Sequence, residues 1–394
     1  LLLLGGSRQQ ICAIECARGK GYYTVLCDYL PDNPGQKYAD KFYCVSTTDI
    51  EEVLKVARKE TVNGVLSYAS DPAAPTAAYI AEQLGLPTSP YDSVKILANK
   101  ELFREFLAKN NFCTPKAKGY QSVDEAKKDI CNFKLPVVIK PVDSSGSKGV
   151  SKLTSIEDLD EKTKYALSFS REKRFIIEEY VEKSGYQVAG DGFSIDGKLV
   201  FYHFGNDHFD NKGVNPYVPI SASFPLDMTS SIQSKIRGEI QRLLYLLNMK
   251  TGAYNFDIRV DNNENVYLME IGPRNGGNYI PQVIKYATGV DLLDLTIRAA
   301  MGEYCEIVKT AKFNKYCSYY AIHSYKSGIL KNIEINEQVR NKNVIELHMN
   351  YNIGDAIPAF TASNSVLGII IMKFESMDEM LEMMDDSEKW IKVN

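Results

Sequence analysis

Asp257 and Glu270 flank a turn-forming cluster, Asp261-Asn262-Asn263-Glu264-Asn265, and each sits in a run of alternating apolar residues. That pattern predicts a β-hairpin. With the turn centred near Asn263, the two carboxylates lie opposite each other on one face. Tyr254, Phe256, Ile258 and Val260, with Tyr267, Met269 and Ile271, then fill the other face and bury it. Directly opposed Cβ atoms are about 4.5 to 5.5 Å apart, and like charges there are destabilising. At an effective dielectric of about 20, two full charges roughly 5 Å apart repel by about 3 kcal/mol. A positive charge must offset this. Mg²⁺ is held by one or two carboxylates plus substrate phosphates; alternatively Arg259 or Arg274 makes an ordinary salt-bridged hairpin. A register slip of one residue would reverse the faces.

Other stretches could serve an anionic ligand. The apolar run Pro136 to Ile139 ends in Lys140 and passes into Asp143-Ser144-Ser145-Gly146-Ser147-Lys148-Gly149 before a second strand at Val150 to Leu153. Small residues let backbone N–H groups approach phosphate oxygens, and lysine adds a compact charge. The run is not a P-loop, lacking GxxxxGK[ST], and such a loop is also common as a plain connection. Lys100 falls inside a helix predicted over Ser93 to Lys109, where a lone lysine usually faces solvent. Ser70-Asp71 ends a strand, and the aspartate is expected to cap the next helix. The methionines at 377, 380 and 384 share a helical face with Leu381 and read as core.

The elements that would position these residues change character along the chain. Residues 1 to 90 alternate strand and helix as a doubly wound α/β unit, whose ligands lie beyond the carboxyl ends of the strands. Gly5-Gly6-Ser7 lacks the GxGxxG spacing of a dinucleotide site. From about 113 to 302 several antiparallel strands predict an α+β region, and 303 to 394 reads as small and mostly β. The chain has 394 residues, a net charge of −4 and 24% charged residues. Those totals favour a soluble protein of two or three domains over a nucleic-acid or membrane-surface binder. Leu1 to Leu4 is too short for a signal core or a membrane span. Eight cysteines without a CxxC pair fit a reduced, cytoplasmic setting, and four histidines give no zinc spacing.

Taken in order, Lys100, Lys140 with its Ser/Gly loop, Glu178-Glu179-Tyr180-Val181, then Asp257, Glu270 and Arg274 resemble the ATP-grasp superfamily. The likeness covers nearly the whole chain and is nearest to the carbamoyl-phosphate-synthase-like and biotin-carboxylase-like branch. It implies a leading doubly wound domain (1–90), an ATP-grasp domain (91–302, with a lid at about 113–181 and a larger part at 182–302) and a C-terminal α+β domain (303–394). It implies ATP and Mg²⁺, with Mn²⁺ as the alternative, and Asp257 and Glu270 as metal ligands. Lys100, Lys140 and the loop at Ser145, Gly146 and Ser147 would contact the nucleotide. Glu179, Tyr180 and Val181 would meet adenine, Gln187 the ribose in place of the usual glutamate, and Arg274 the reacting centre. Gly272 stands where relatives often carry a metal-ligating asparagine, so Asn275 or water would have to replace it.

The implied activity is an ATP-dependent carboxylate–amine ligase: a small-molecule carboxylate becomes an acyl phosphate, and a small-molecule amine then displaces phosphate. A bicarbonate-using carboxylase of the biotin or purine type and an inactive nucleotide-binding module are the alternatives. No Ala-Met-Lys-Met segment for biotin is present. Neither nucleic acid nor membrane is an expected partner, and a homodimer is the family-based expectation. Substrate choice is expected near Ser70-Asp71, in Asn206 to Tyr217, and at Asn275 and Asn278.

Overall fold

The computed structural model describes residues 1–210, 212, 215–308 and 314–394. Positions 211, 213 and 214 of the Asn206 to Tyr217 stretch lie outside the described residues. Four strands, β1 (Leu2–Leu4), β2 (Val25–Asp28), β3 (Lys41–Cys44) and β4 (Val65–Leu66), form a parallel sheet in the order β3-β2-β1-β4. Parallel strands are covered on both faces, so they read as unbroken apolar runs. Leu2, Leu4, Val25 and Leu26 are accordingly buried. At the carboxyl end, Asp28 accepts the Gly6 and Leu30 N–H groups at 2.7 and 2.8 Å, which fixes the Gly5-Gly6-Ser7 loop.

A second sheet contains β5 (Ala117–Tyr120), β6 (Val137–Pro141), β7 (Ser151–Leu153) and β8 (Phe175–Glu179) in the antiparallel order β5-β8-β6-β7. The third has eight antiparallel strands. β9 (Gln187–Ile195), β10 (Lys198–Phe209), β11 (Pro219–Phe224), β12 (Gly252–Val260), β13 (Val266–Gly272) and β14 (Tyr316–Ile322) continue into β17 (Val344–Met349) and β19 (Gly368–Phe374), in the order β13-β12-β9-β10-β11-β14-β19-β17. Strands after residue 303 therefore extend the sheet that begins at Gln187. Two minor pairs complete the fold: β15 (Gly328–Ile329) with β18 (Ala356–Ile357), and β16 (Ile333–Ile335) with β20 (Ile391–Val393).

The helix expected over Ser93 to Lys109 is two helices, Tyr91–Ala98 and Lys100–Lys109. Asn99 divides them. Its backbone is extended, and its side chain accepts the N–H groups of Glu101 and Leu102, the capping that asparagine favours. Lys100 thus opens a helix instead of sitting mid-helix. Its N–H bonds Val142 C=O at 2.8 Å, bringing it beside the end of β6. Ile297 and Ala300 of the helix Leu292–Ala300 share one core cluster with Leu1, Leu3, Ala13 and Ile14, which fastens the parallel sheet to the rest. Among the described residues, no helix is long and apolar enough to cross a membrane.

Candidate active site

The hairpin β12–β13 contains a correction and its reason. Val260 pairs with Val266 across the turn, and an unbroken ladder from there would set Asp257 against Met269. The register instead shifts between Asp257 and Ile258: Ile258 faces Leu268, whereas Asp257 faces Glu270. This bulge, with Met269 as the extra residue, is what brings the two carboxylates together. It also changes which residues are core. Val266, Leu268 and Ile271 join the buried cluster with Tyr254, Phe256, Ile258 and Val260. Tyr267 and Met269, expected there, are displaced: Met269 lines the cavity on the other face, and Tyr267 is half-buried at a separate shallow depression.

That cavity, about 550 Å³, lies between the lid sheet and the eight-stranded sheet. It is within the size range of ligand pockets, about 300 to 1,000 Å³. Lys100, Lys140, Ser145, Gly146, Ser147, Tyr180, Gln187, Asp257 and Glu270 all line it. Glu179 and Val181 border instead the shallow depression with Lys116 and Asp261. The Glu179 carboxylate accepts the Lys134 N–H at 2.9 Å, and its own N–H bonds Lys116 C=O.

Ion pairs organise the lysines. Lys100 Nζ lies 3.0 Å from Glu270 Oε2 and donates to Ser144 C=O at 2.8 Å, tying β13 to the start of the lid loop. The hairpin's counter-charge is therefore Lys100; Arg259 and Arg274 are bonded elsewhere. Buried Lys140 pairs with Glu178, which also takes Arg104 Nε at 2.9 Å. Arg104 donates in turn to the carbonyls of Leu268 and Met269 at 3.4 and 3.0 Å, so the bulge is held from the helix Lys100–Lys109. Burial pushes the Glu178 pKa up, but Arg104 and Lys140 outweigh it and hold the carboxyl at about 2. For Glu270 too, burial is outweighed by Lys100, and the net displacement is downward.

Asp257 differs. Burial raises its pKa to about 6, with Arg259 opposing and Glu270 adding to the rise, and its Oδ1 is buried without a hydrogen-bond partner. An orphaned carboxylate oxygen beside a second carboxylate fits a divalent cation completed by phosphate oxygens. Among the described residues no group of three or more potential side-chain ligands occurs, so two carboxylates are what the protein offers.

Arg274 is committed to Asp71. Nε and Nη2 reach the two oxygens at 2.8 and 2.5 Å, and Nη1 donates to Asn275 C=O at 2.9 Å. Asp71 therefore does not cap the following helix, whose N-cap is Ala73 with no side-chain bond. The pair also explains Gly272: a Cβ there would lie 2.8 Å from Asp71 Oδ1 and 3.2 Å from Arg274 Cζ. Asn275 is fully buried outside the cavity lining.

The loop from Ser144 is held down at three points. Ser147 Oγ donates to Tyr217 C=O at 2.8 Å, Asn215 Nδ2 donates to Ser147 C=O and Thr361 C=O at 3.0 Å each, and the Ser363 N–H reaches Gly146 C=O at 3.3 Å. Gly146 has φ +66°, and a Cβ there would overlap Ser363 Oγ, so glycine is required.

Sequence reasoning missed Arg104, Tyr186 and Asp385; it named Glu178 within its motif without a role of its own, and Asp207 and His208 only as part of the Asn206 to Tyr217 stretch. Glu178 had a signal, a charge at an inward position of the run Phe175-Ile176-Ile177. Tyr186 and Asp385 had none, because Asp385 comes from the C-terminal helix Met377–Asp385: it meets His208 Nδ1 at 2.6 Å and Tyr186 Oη at 2.5 Å.

The sequence model of the ATP-grasp domain matches residues 133–282. The C-terminal section of the carbamoyl phosphate synthase large chain of Aquifex aeolicus is 26% identical over 296 residues, covering 74% of this chain and 54% of that protein. The chain thus spans about half the length of that relative. An L-amino acid ligase from Bacillus licheniformis superposes with a TM-score of 0.80 at 20% identity, over 100% of this chain and 98% of the other. A phosphoribosylglycinamide synthetase from Anaerococcus prevotii gives 0.76 at 23% identity over the same shares. Motif order and sheet arrangement agree with that match: residues 133–282 are similar to the ATP-grasp domain, and the whole chain shares the fold of these solved structures.

Proposed function

We propose that this chain is an ATP-dependent ligase joining a small-molecule carboxylate to a small-molecule amine. The observation that carries the reading is the bulge-enforced pairing of Asp257 with Glu270, one oxygen orphaned, in a cavity that also holds Lys100, Lys140 and the Ser/Gly loop. Asp257 and Glu270 would hold Mg²⁺, which when bound neutralises charge between phosphate oxygens. Lys100, Lys140 and the loop at Ser145, Gly146 and Ser147 bind the phosphates. Tyr180, which lines the cavity, lies against the base.

A carboxylate oxygen attacks the γ-phosphorus, and the bond to the bridging oxygen breaks with its electron pair leaving on ADP. The amine nitrogen then attacks the acyl carbon, phosphate departs, and the nitrogen loses a proton to solvent. Both steps gather negative charge, so cations aimed in advance carry the catalysis. Arg274 would serve this role beside the cavity, which it does not line, with its guanidinium plane fixed by the bidentate grip of Asp71.

The test is phosphate release from Mg-ATP across a panel of carboxylic acids and amines, with Glu270→Ala alongside. Release that needs one acid and one amine, and is lost in the variant, is expected. Release supported by bicarbonate without an amine would replace this reading with a carboxylase.

A further inference from the structure

Asp191, on β9, is fully buried and lies outside the cavity lining. It follows Gln187 by four residues, so it stands on the same face of the strand, about 13 Å farther along. Two donors reach its carboxyl. Asn255 Nδ2, from the paired position on β12, donates to Oδ1 at 2.9 Å, and the Gly276 N–H donates to Oδ2 at 2.8 Å. A Cβ at Gly276 would lie 2.7 Å from Oδ1, so the backbone runs bare against the carboxylate. Burial raises the pKa of Asp191 to about 6, and the Gly276 N–H, Asn255 and the Arg274 charge oppose that rise. A charge buried at this cost is kept only where it is hydrogen-bonded, and here the bonds lead to Arg274.

The Gly276 N–H belongs to the same peptide unit as the Asn275 C=O, and that oxygen accepts Arg274 Nη1 at 2.9 Å. The peptide is trans, so its N–H and C=O point in opposite directions. One planar group therefore joins the Asp191 carboxylate to the Arg274 guanidinium. Hydrogen bonds strung through a single group polarise one another, so an anion at the N–H end makes the carbonyl a better acceptor for the cation. On its other side Arg274 is gripped through Nε and Nη2 by Asp71, which comes from the parallel-sheet region. The segment that carries Arg274 is also strained: Asn278 and Tyr279 have φ of +51° and +61°. A bulky residue adopts that conformation only where its surroundings impose it. Gln9 Oε1 accepts the Asn278 N–H at 3.0 Å, and the His348 ring stacks on Tyr279 at 4.2 Å. Of these attachments, Asp191 is the one nearest Arg274 along the chain.

We infer that Asp191 is a positioning residue: acting through the Asn275–Gly276 peptide, it fixes the swing of the Arg274 guanidinium that the grip of Asp71 alone leaves free. The inference rests on the reading of Arg274 as a group that acts at the reacting centre. Asp191 touches no ligand, so its loss should slow the reaction and spare ATP binding. A purely structural aspartate would weaken both together.

The experiment compares the whole chain as wild type, Asp191→Ala and Asp191→Asn. Nitrogen-15 NMR reads the Arg274 Nε–H directly, with Arg274→Lys to identify its signal. In Asp191→Ala, solvent exchange of the Arg274 Nε–H and of the Gly276 N–H should quicken by about tenfold or more, while amides along β12 keep their wild-type protection. With Mg-ATP and the acid and amine that the phosphate-release panel identifies, kcat should fall by about tenfold or more, and ATP affinity by calorimetry should hardly change. Asp191→Asn keeps an acceptor for the Gly276 N–H without the charge, so both effects should be intermediate; it serves if the alanine variant does not fold. Unchanged Arg274 exchange in a folded variant overturns the inference, as does a fall in kcat matched by an equal fall in ATP affinity. Wild-type protein that releases no phosphate with any acid overturns the ligase reading alone, because the exchange measurement needs no turnover.

Discussion

The two ends of the cleft are built on opposite terms. Toward Lys100, and behind it at Arg274, charges are held in pairs: Lys100 with Glu270, Lys140 and Arg104 with Glu178, Arg274 with Asp71. Toward Gln187, among the described residues, no side-chain hydrogen bond or ion pair holds the cavity-lining Asp207 carboxyl, and between the two ends Asp257 keeps one oxygen orphaned. Paired charges fix geometry in advance, and removing one partner strands the other in a buried place. Unpaired groups hold a place for something that arrives with the ligand, and removing them relieves the free protein. Stability and function should therefore move together at one end and apart at the other.

The largest effect is expected at Glu178. Glu178→Ala leaves Lys140 and Arg104 buried without their shared carboxylate and should cost about 3 to 5 kcal/mol of unfolding free energy in urea titrations. Nucleotide binding should fall with it. A loss below about 1 kcal/mol would mean that the two cations find solvent or other partners, and the contrast between the ends would weaken.

Asp257 should behave in the opposite sense. Its folded pKa of about 6 lies above the ordinary aspartate value of 3.8, so the folded state favours the protonated form. Its contribution is full at pH below the unfolded value and is lost as pH rises through about 6. The loss amounts to about 2 to 3 kcal/mol at neutral pH. Asp257→Asn, measured in EDTA, should thus be more stable than wild type at pH 7.5 by up to that amount, with the gain vanishing near pH 4, while Mg-ATP turnover is abolished. Equal stabilities at pH 7.5 would show that the buried carboxylate is not strained in the metal-free protein.

How legible this was in the sequence depends on whether the signal was local. The parallel sheet was readable because Leu1 to Leu4 and Val25 to Cys27 are apolar runs, and alternation about a turn suggested the opposed Asp257 and Glu270, although the pairing is reached only through a one-residue register shift. The bulge that seats them was not readable, because it is sustained by Arg104, which comes from another element and donates to the carbonyls at Leu268 and Met269. Asn99 could have been read as a helix cap. Asp71 looked like one, yet it answers Arg274 from far along the chain. Asp385 and Asn215 likewise act on residues far along the chain, where periodicity carries no information.

Gly272 tests the paired end by steric means. Gly272→Asn introduces the metal-ligating side chain that the family resemblance would place there, but its Cβ would press on Asp71 Oδ1 and the Arg274 guanidinium. Turnover should fall by about tenfold or more as Arg274 shifts, with ATP affinity changed less. Adding Asp71→Ala should recover space without recovering rate, since Arg274 then has room but no partner. Recovery of full rate in the double variant would show that Asp71 is a spacer and not a positioning group.

The smallest effect is expected at Asn215, and it sharpens the comparison because this residue belongs to neither end. Its amide bridges Ser147 of the lid loop to Thr361, so one side chain joins the loop over the cavity to the C-terminal region. Asn215→Ala removes two hydrogen bonds, about 1 to 2 kcal/mol in sum, but the loss falls on the loop and not on the core. The urea midpoint should barely move. Amide exchange over residues 144 to 150 should quicken by several fold, and the KM for ATP should rise with kcat less affected. The loop keeps two further attachments, from Ser147 Oγ to Tyr217 and from the Ser363 N–H to Gly146. The effect should therefore grow more than additively in Asn215→Ala combined with Ser147→Ala, as expected when contacts share one hinged segment. Strict additivity would mean that each bond acts alone and that the lid loop has no cooperative closed state.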